Sequence, residues 1–166
     1  MYFGSSKQHF LSFFFPPGIN HGDFNDLNVL VQPDESGRYR ISGIIDFADM
    51  NSGYYVYELA IAITHMMMQH PEPIGVGGDV LAGWESVTPL NEAERGCLYM
   101  LVLSRFCQFL VLSRHAVRLR PDNAEYFMRP SRNGARFLQE LWDTGKERVE
   151  EVWFQSAAQI RDRNSL

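Results

Sequence analysis

Two short acidic segments near the start of the chain carry the residue types that phosphoryl transfer requires. The first is His21-Gly22-Asp23-Phe24-Asn25-Asp26-Leu27-Asn28, and the second is Gly43-Ile44-Ile45-Asp46-Phe47. Phosphoryl transfer needs a group beside the attacking hydroxyl and ligands for Mg²⁺, because its catalysis is mainly positioning and charge stabilisation. Mg²⁺ prefers oxygen ligands and is usually held by one or two carboxylates together with substrate phosphates. Asp23, Asn28 and Asp46 supply a sufficient set of oxygens.

The spacing of these residues is that of a kinase catalytic loop. Asp23 and Asn28 are five residues apart, as are the proton-accepting Asp and the metal-binding Asn of kinases. Asp46 follows a second apolar run, where kinases place a further metal-binding Asp. A metal-dependent hydrolase could use the same oxygens, but the sequence has no His-rich or closely paired carboxylate set that favours one.

A turn between two apolar runs is expected to position these residues. Residues 29–31 and 40–45 are rich in β-branched side chains, and the turn-forming cluster at 33–37 separates them. The pattern predicts a β-hairpin with Asn28 and Asp46 at its open end.

The two segments resemble the Brenner-type motif of the aminoglycoside phosphotransferase and choline kinase group. That motif is His-Gly-Asp with Asn five residues after the Asp, and then Ile-Asp-Phe. Within the group, the whole first segment together with residues 44–50 and 53–58 is most similar to the hydroxylysine kinases. The resemblance implies an α+β, mainly α fold. It would be the C-terminal lobe of a protein-kinase-like enzyme, with a small β-hairpin carrying the metal ligands.

The same resemblance implies a role for each motif residue. Asp23 would be the catalytic base or the group that orients the hydroxyl, and Asn28 and Asp46 would bind Mg²⁺. His21 would brace the catalytic loop through hydrogen bonds. Glu58 stands where many relatives have Asp, and it would support the backbone of that loop.

The implied reaction is transfer of the γ-phosphoryl group of GTP or ATP to the hydroxyl of a small amino compound. The expected acceptor is 5-hydroxy-L-lysine, and the alternatives are choline, homoserine or an aminoglycoside. Asp26 and Asp49 are the nearest spare carboxylates, so each is a candidate for contact with a substrate ammonium. Capping of the loops is their alternative role.

The residues before the motif do not resemble a nucleotide-binding lobe. Such a lobe carries a glycine-rich loop and a phosphate-binding lysine, whereas Lys7 is the only lysine before His21 and no glycine-rich loop is present. We therefore expect an atypical N-terminal segment at 1–18, a catalytic lobe at 19–161, and no nucleotide lobe. Activity of the chain alone is expected to be weak or absent. A non-catalytic binding or regulatory module and an incomplete product without function are the alternatives.

The rest of the chain is predicted to be helical. A buried helix is expected at 58–70, with methionines filling the core, and a loop at 71–78. A short helix at 79–86 is followed by a long one from Asn91 to Val117, whose apolar stripe includes Leu112. Two further helices are expected at 123–142, with a break near Pro130, and at 146–161. Residues 162–166 are expected to fray.

Composition narrows the class of protein. With 166 residues, 45% of them hydrophobic, the chain fits one compact domain. Its 15 basic and 20 acidic residues give a formal charge of −5 without a basic stripe, which disfavours nucleic acid as a partner. The Phe-rich run before Pro16 is too short to span a membrane. Cys97 and Cys107, ten residues apart on one predicted helix, are expected to be buried free thiols in the cytoplasm. The oligomeric state is left open.

Overall fold

Two small antiparallel sheets precede a set of packed helices in the computed structural model, which describes residues 14–128 and 132–164. The strands are β1 (Pro17–Asn20), β2 (Val29–Pro33), β3 (Tyr39–Ile44) and β4 (Asn51–Tyr54). The helices are α1 (Tyr55–Gln69), α2 (Pro73–Glu85), α3 (Glu92–Leu119), α4 (Ala124–Met128), α5 (Gly134–Thr144) and α6 (Lys146–Asn164). The predicted mainly helical α+β composition is confirmed.

Strands β2 and β3 form the predicted hairpin. Val29 pairs with Ile44 at its open end, and a register shift between Leu30 and Val31 marks a bulge. The turn is held by the Asp34 carboxylate, which accepts hydrogen bonds from the backbone N–H groups of Ser36 and Arg38 at 2.9 and 3.0 Å. The hairpin thereby joins the two motif segments.

A second strand pair, β1 with β4, was not expected from the sequence. Pro17 pairs with Tyr54 and Asn20 pairs with Asn51, so the chain entering the first motif lies against the chain leaving the second. The boundary expected at residue 18 falls inside β1. The earlier part of the Phe-rich run, up to residue 13, lies outside the described residues.

The hydrophobic core lies among the helices and centres on α1. Val56, Leu59, Ile63 and Met67 are all 0% exposed, and the core side chains of α3, α5 and α6 join the same cluster. Met68 is also buried, which confirms the prediction that the methionines of this helix fill the core.

A single helix, α2, covers most of the region in which a loop at 71–78 and a short helix at 79–86 were predicted. The predicted loop is therefore wrong. The helix begins at Pro73, which suits a first helical turn because proline needs no N–H partner there. Helix α6 packs closely against two of its glycines, Gly77 and Gly78. A Cβ at Gly77 would lie 2.3 Å from Nε1 of Trp153. The same Nε1–H donates to the carbonyl of Ile74 at 2.8 Å.

Helix α3 confirms the predicted long helix and its start. The Asn91 side chain accepts from the backbone N–H of Glu94 at 3.0 Å, and the Glu94 carboxylate accepts from that of Asn91 at 3.0 Å, a capping box. An 18-residue window of this helix has a mean hydropathy of 1.6, so length and composition would suit a membrane span. One face of the helix packs into the core instead. Leu112 does not belong to that face, because it is 53% exposed.

The C-terminal region contains two further differences from expectation. The predicted helix at 123–142 is divided into α4 and α5, and residues 129–131 around the expected break lie outside the described residues. Helix α6 continues to Asn164, so the first residues expected to fray are helical.

Cys97 is partly buried and Cys107 is exposed, which corrects the prediction of two buried thiols. Both lie on α3, but Cys107 is on the side away from the core.

Candidate active site

The first motif forms a loop whose backbone is packed against the second. Gly22 has a φ of +85°, a conformation that favours glycine, and a Cβ there would lie 2.3 Å from the carbonyl oxygen of Asp49. Only glycine fits this crossing of the two loops.

Glu58, in the first turn of α1, binds the backbone of the same loop. Its Oε2 accepts the backbone N–H of Gly22 at 2.9 Å, and the residue is only 9% exposed. Oε1 has no hydrogen-bond partner among the described residues. The carboxylate thus hydrogen-bonds to the loop backbone.

His21 joins the loops through its ring. Its Nε2 lies 2.9 Å from the carbonyl oxygen of Ile45, and its Nδ1 accepts the backbone N–H of Asp23 at 3.4 Å. A carbonyl can only accept, so these contacts assign the ring hydrogen to Nε2. The ring also packs against Phe47, with 4.9 Å between ring centroids.

Asn28 and Asp46 are brought together at the open end of the hairpin. Ile45 donates its N–H to the carbonyl of Asn28 at 3.0 Å, which sets Asp46 immediately beside that residue. Asp46 has a φ of +63°, the one positive value for a non-glycine residue in the described part of the chain. Such backbone strain clusters at functional sites.

The Asp23 carboxylate is surrounded by donors. Oδ2 accepts from the Nδ2 of Asn25 at 3.0 Å and from the Nδ2 of Asn28 at 3.4 Å. Oδ1 lies 3.3 Å from Nη2 of Arg105 on α3 and 3.7 Å from Nε2 of His65 on α1. The sequence did not predict a role for Asn25, His65 or Arg105. Asn25 lies inside the motif, but the two helical residues carry no local signal because they reach Asp23 only through the fold.

Burial shifts the pKa of both helical residues, His65 and Arg105. It lowers the pKa of His65 from its usual 6.5 to about 4, with the nearby Arg105 charge as the second cause. Burial also lowers the pKa of Arg105, while the Asp23 carboxylate opposes that shift. Arginine stays protonated in proteins. Near pH 7, Asp23 therefore faces a charged guanidinium and a neutral imidazole.

A cavity of about 400 Å³ opens between α1 and α3 beside the first loop. Its polar lining side chains are Asn20, Asn51, Tyr57, Ser104, Arg105 and Gln108. Asp26 and Asp49 are not among its lining residues and lie in the short 3₁₀ turns Asp26–Asn28 and Phe47–Asp49. The cavity adjoins Asp23 through Gly22 and Arg105, and among the described residues no carboxylate lines it.

The donor set suits Mg²⁺ bound jointly with phosphates. Asn28 turns its Nδ2 onto the carbonyl of Asp23 at 2.9 Å, which points its amide oxygen the other way, and the Asp46 side chain makes no cap hydrogen bond. Within the described residues, no three or more His, Cys, Asp or Glu side chains group into a metal site. Two oxygen ligands completed by substrate phosphates are the usual arrangement for Mg²⁺.

Comparison with known proteins decides the family. Residues 11–97, slightly more than half of the chain, match the family described as "Phosphotransferase enzyme family" (APH). The chain belongs to this family. The matched range contains both motif segments and all of α1.

Individual relatives in this family are kinases of small molecules. A hydroxylysine kinase of Danio rerio is 61% identical over 143 residues, covering 86% of this chain and 40% of the relative. That of Bos taurus is 52% identical, covering 84% of this chain and 38% of its own length. A homoserine kinase of Mesorhizobium japonicum is 28% identical over 69% of the chain and 37% of the relative. The chain thus spans about 40% of the length of its hydroxylysine kinase relatives. No solved structure matches it significantly.

Proposed function

We propose that this chain carries the acceptor-activating and metal-binding residues of a hydroxylysine kinase-like phosphotransferase. The observation that carries the proposal is the Asp23 carboxylate, which accepts hydrogen bonds from Asn25, Asn28 and Arg105 and lies beside two cavity-lining residues, Gly22 and Arg105. In this assignment residues 19–161 form the catalytic lobe of a kinase-like fold. A cytoplasmic location stays a prediction.

Each residue at the site has a distinct role in the proposed reaction. The acceptor hydroxyl lies against Asp23, and its oxygen forms a bond to the γ-phosphorus as the bond to the bridging oxygen of the nucleotide breaks. Asp23 orients the hydroxyl and takes its proton. His21 and Glu58 fix the loop through Ile45 and Gly22. GTP or ATP is the donor.

Asn28 and Asp46 would hold Mg²⁺ through their side-chain oxygens. When bound there, Mg²⁺ supplies positive charge that neutralises the phosphates. Asp26 and Asp49 keep their proposed alternatives, contact with a substrate ammonium or capping of the turns in which they lie.

Hydroxylysine is the proposed acceptor because of the identity of 61% and 52% with two hydroxylysine kinases. Homoserine is the second candidate, since homoserine kinases also match, at 28% identity for the one from Mesorhizobium japonicum. Both compounds are hydroxy amino acids. Neither choline nor an aminoglycoside has comparable support.

Phosphoryl transfer and its dependence on Asp23 test the proposal. The chain is assayed alone, and fused to the part of the Danio rerio relative outside the matched region, with Mg²⁺, ATP or GTP, and each candidate acceptor. We expect phosphohydroxylysine by mass spectrometry from the fusion. Asp23→Asn should lower kcat by at least about 100-fold, the usual size of a general-base contribution, while the melting temperature stays close to that of the parent.

Asp79→Asn is the matched control, because Asp79 is exposed on α2 and belongs to neither motif segment. It should leave turnover unchanged. Full activity of the Asp23→Asn variant would contradict the role of that residue. A fusion that binds hydroxylysine without phosphorylating it would instead support a non-catalytic module.

A further inference from the structure

We infer that the cavity between α1 and α3 binds the carboxylate of the acceptor, with Arg105 as the residue that recognises it. The site would then select hydroxy amino acids over amino alcohols that lack a carboxylate. This inference rests on the proposed function, because it takes Asp23 as the place where the acceptor hydroxyl lies.

Arg105 both contacts Asp23 and lines the cavity. Its Nη2 lies 3.3 Å from Oδ1 of Asp23, while its Nη1 donates to Oε1 of Gln108, one turn along α3, at 2.8 Å. Both Arg105 and Gln108 line the cavity. An acceptor whose hydroxyl contacts Asp23 therefore has the guanidinium beside the rest of its length.

The charges of the lining favour an anionic group at that position. Arg105 is the one charged side chain in the cavity lining within the described residues, and the other polar groups are amides and hydroxyls. The carboxylates that act on Arg105 are Asp23, Asp49 and Glu58, and none of them lines the cavity, so a ligand ammonium in the cavity would meet the guanidinium first. A ligand carboxylate would gain a charge-assisted hydrogen bond.

The guanidinium also keeps unused donors. Arginine has five N–H groups in a planar fork that matches a carboxylate. Asp23 and Gln108 each accept from one nitrogen, and Nε has no hydrogen-bond partner among the described residues. The side chain is only 15% exposed, so water is largely excluded from the groups that remain. A partly buried arginine with spare donors at the wall of a cavity is suited to bind an anion.

Asn20 offers an acceptor in the same cavity lining. The residue is 3% exposed, its Nδ2 donates to the carbonyl of Tyr54 at 3.0 Å, and its Oδ1 has no partner among the described residues. In an amino acid an ammonium is attached to the carbon that bears the carboxylate. The pairing of Arg105 with the Asn20 amide is therefore complementary to both groups of the α-carbon.

Ligands that differ only in the carboxylate test the inference. Binding of L-hydroxylysine and of hydroxycadaverine, its decarboxylated analogue, is measured on the chain by calorimetry and by NMR titration. Neither measurement requires phosphoryl transfer. We expect hydroxylysine to bind at least about tenfold more tightly, the scale of a charge-assisted, bidentate contact.

Two cavity variants test whether Arg105 causes the preference for the ligand with a carboxylate. Arg105→Met removes the charge, and Gln108→Glu adds a carboxylate beside it that competes for the guanidinium; each should reduce the preference to about one. Gln69→Glu makes the same change of charge at an exposed position at the end of α1 and should keep the preference. Circular dichroism confirms that each variant is folded. Because the readout is a ratio of two ligands, displacement of Asp23 in a variant affects both terms alike.

Equal binding of the two ligands, or no binding of hydroxylysine at millimolar concentration, would overturn the inference. A preference that survives Arg105→Met while inorganic phosphate binding is lost would also overturn it and assign Arg105 to a phosphate. Failure of the proposed function would give a different result. The fusion would then still bind hydroxylysine more tightly than hydroxycadaverine but would transfer no phosphoryl group.

Discussion

The Asp23 carboxylate has neighbours from three separate elements. Asn25 and Asn28 belong to its own loop, His65 belongs to α1, and Arg105 belongs to α3. The orientation of this carboxylate is therefore tied to the packing of α1 against α3.

Gly22→Ala should be strongly destabilising, and Gly37→Ala is its matched control. Both glycines have positive φ, +85° and +79°, but a Cβ at Gly37 meets open space whereas one at Gly22 would lie 2.3 Å from the Asp49 carbonyl oxygen. We expect a loss of about 1 kcal/mol in the free energy of unfolding for Gly37→Ala, from backbone strain alone. Gly22→Ala should lose roughly 2 kcal/mol more because of overpacking. Urea denaturation measures both, and equal losses would refute the close contact of the loops.

His65 should make the fold less stable in acid. Its pKa is about 4 in the folded protein and 6.5 when unperturbed, so the unfolded chain takes up a proton that the folded chain does not. This contribution to stability is complete above pH 6.5 and is lost as the pH falls to about 4. The loss is of the order of 3 kcal/mol. Denaturation at several pH values should show a flatter profile for His65→Gln, and an unchanged profile for His70→Gln would assign the effect to His65.

At the scale of elements, sequence patterns predicted those structures whose signals are local. The β-branched runs around Asp34 predicted the hairpin, and Asn91 with Glu94 predicted the start of α3. The first part of α2, from Pro73 to Gly78, was predicted to be a loop, because its glycines are poor helix formers in isolation. Gly77 and Gly78 are helical here where α6 packs closely against them. Arg105 and His65 were missed for the same reason, since contacts distant in sequence leave no local pattern.

Substitution of the α2 glycines tests this explanation. Gly77→Ala should destabilise the protein by roughly 1–3 kcal/mol, because the new methyl group would meet the Trp153 indole. Gly83→Ala, in the same helix but facing open space, should stabilise by about 0.5–1 kcal/mol through helix propensity. Thermal denaturation gives both values. A stabilising effect at Gly77 would contradict the proposed role of that glycine in helix packing.

At the scale of the whole molecule, burial is unevenly distributed. The helices share one core, whereas the strands of the β2–β3 hairpin are exposed along nearly their whole length. Val31 and Ile41, paired across the hairpin, are 55% and 65% exposed. Exposed apolar strands promote association between chains.

Ile41→Lys should therefore reduce self-association of the chain while changing its free energy of unfolding by less than about 0.5 kcal/mol, as surface substitutions usually do. Val111→Lys adds the same charge at a residue that is 66% exposed on α3 and is the control for a general effect of charge. Static light scattering over a range of concentrations compares the two. Equal suppression by both variants would remove the hairpin as the cause.

The crossing of Gly22 with the Asp49 carbonyl has a consequence for how such a protein can diversify. The backbone of the residues proposed for phosphoryl transfer is fixed by main-chain contacts at that crossing and at the Ile45–Asn28 hydrogen bond. Most of the cavity lining, in contrast, consists of side chains on α1 and α3. Acceptor choice can thus change by single substitutions at lining positions on these helices that do not contact Asp23, which makes those positions the natural starting point for engineering new acceptors.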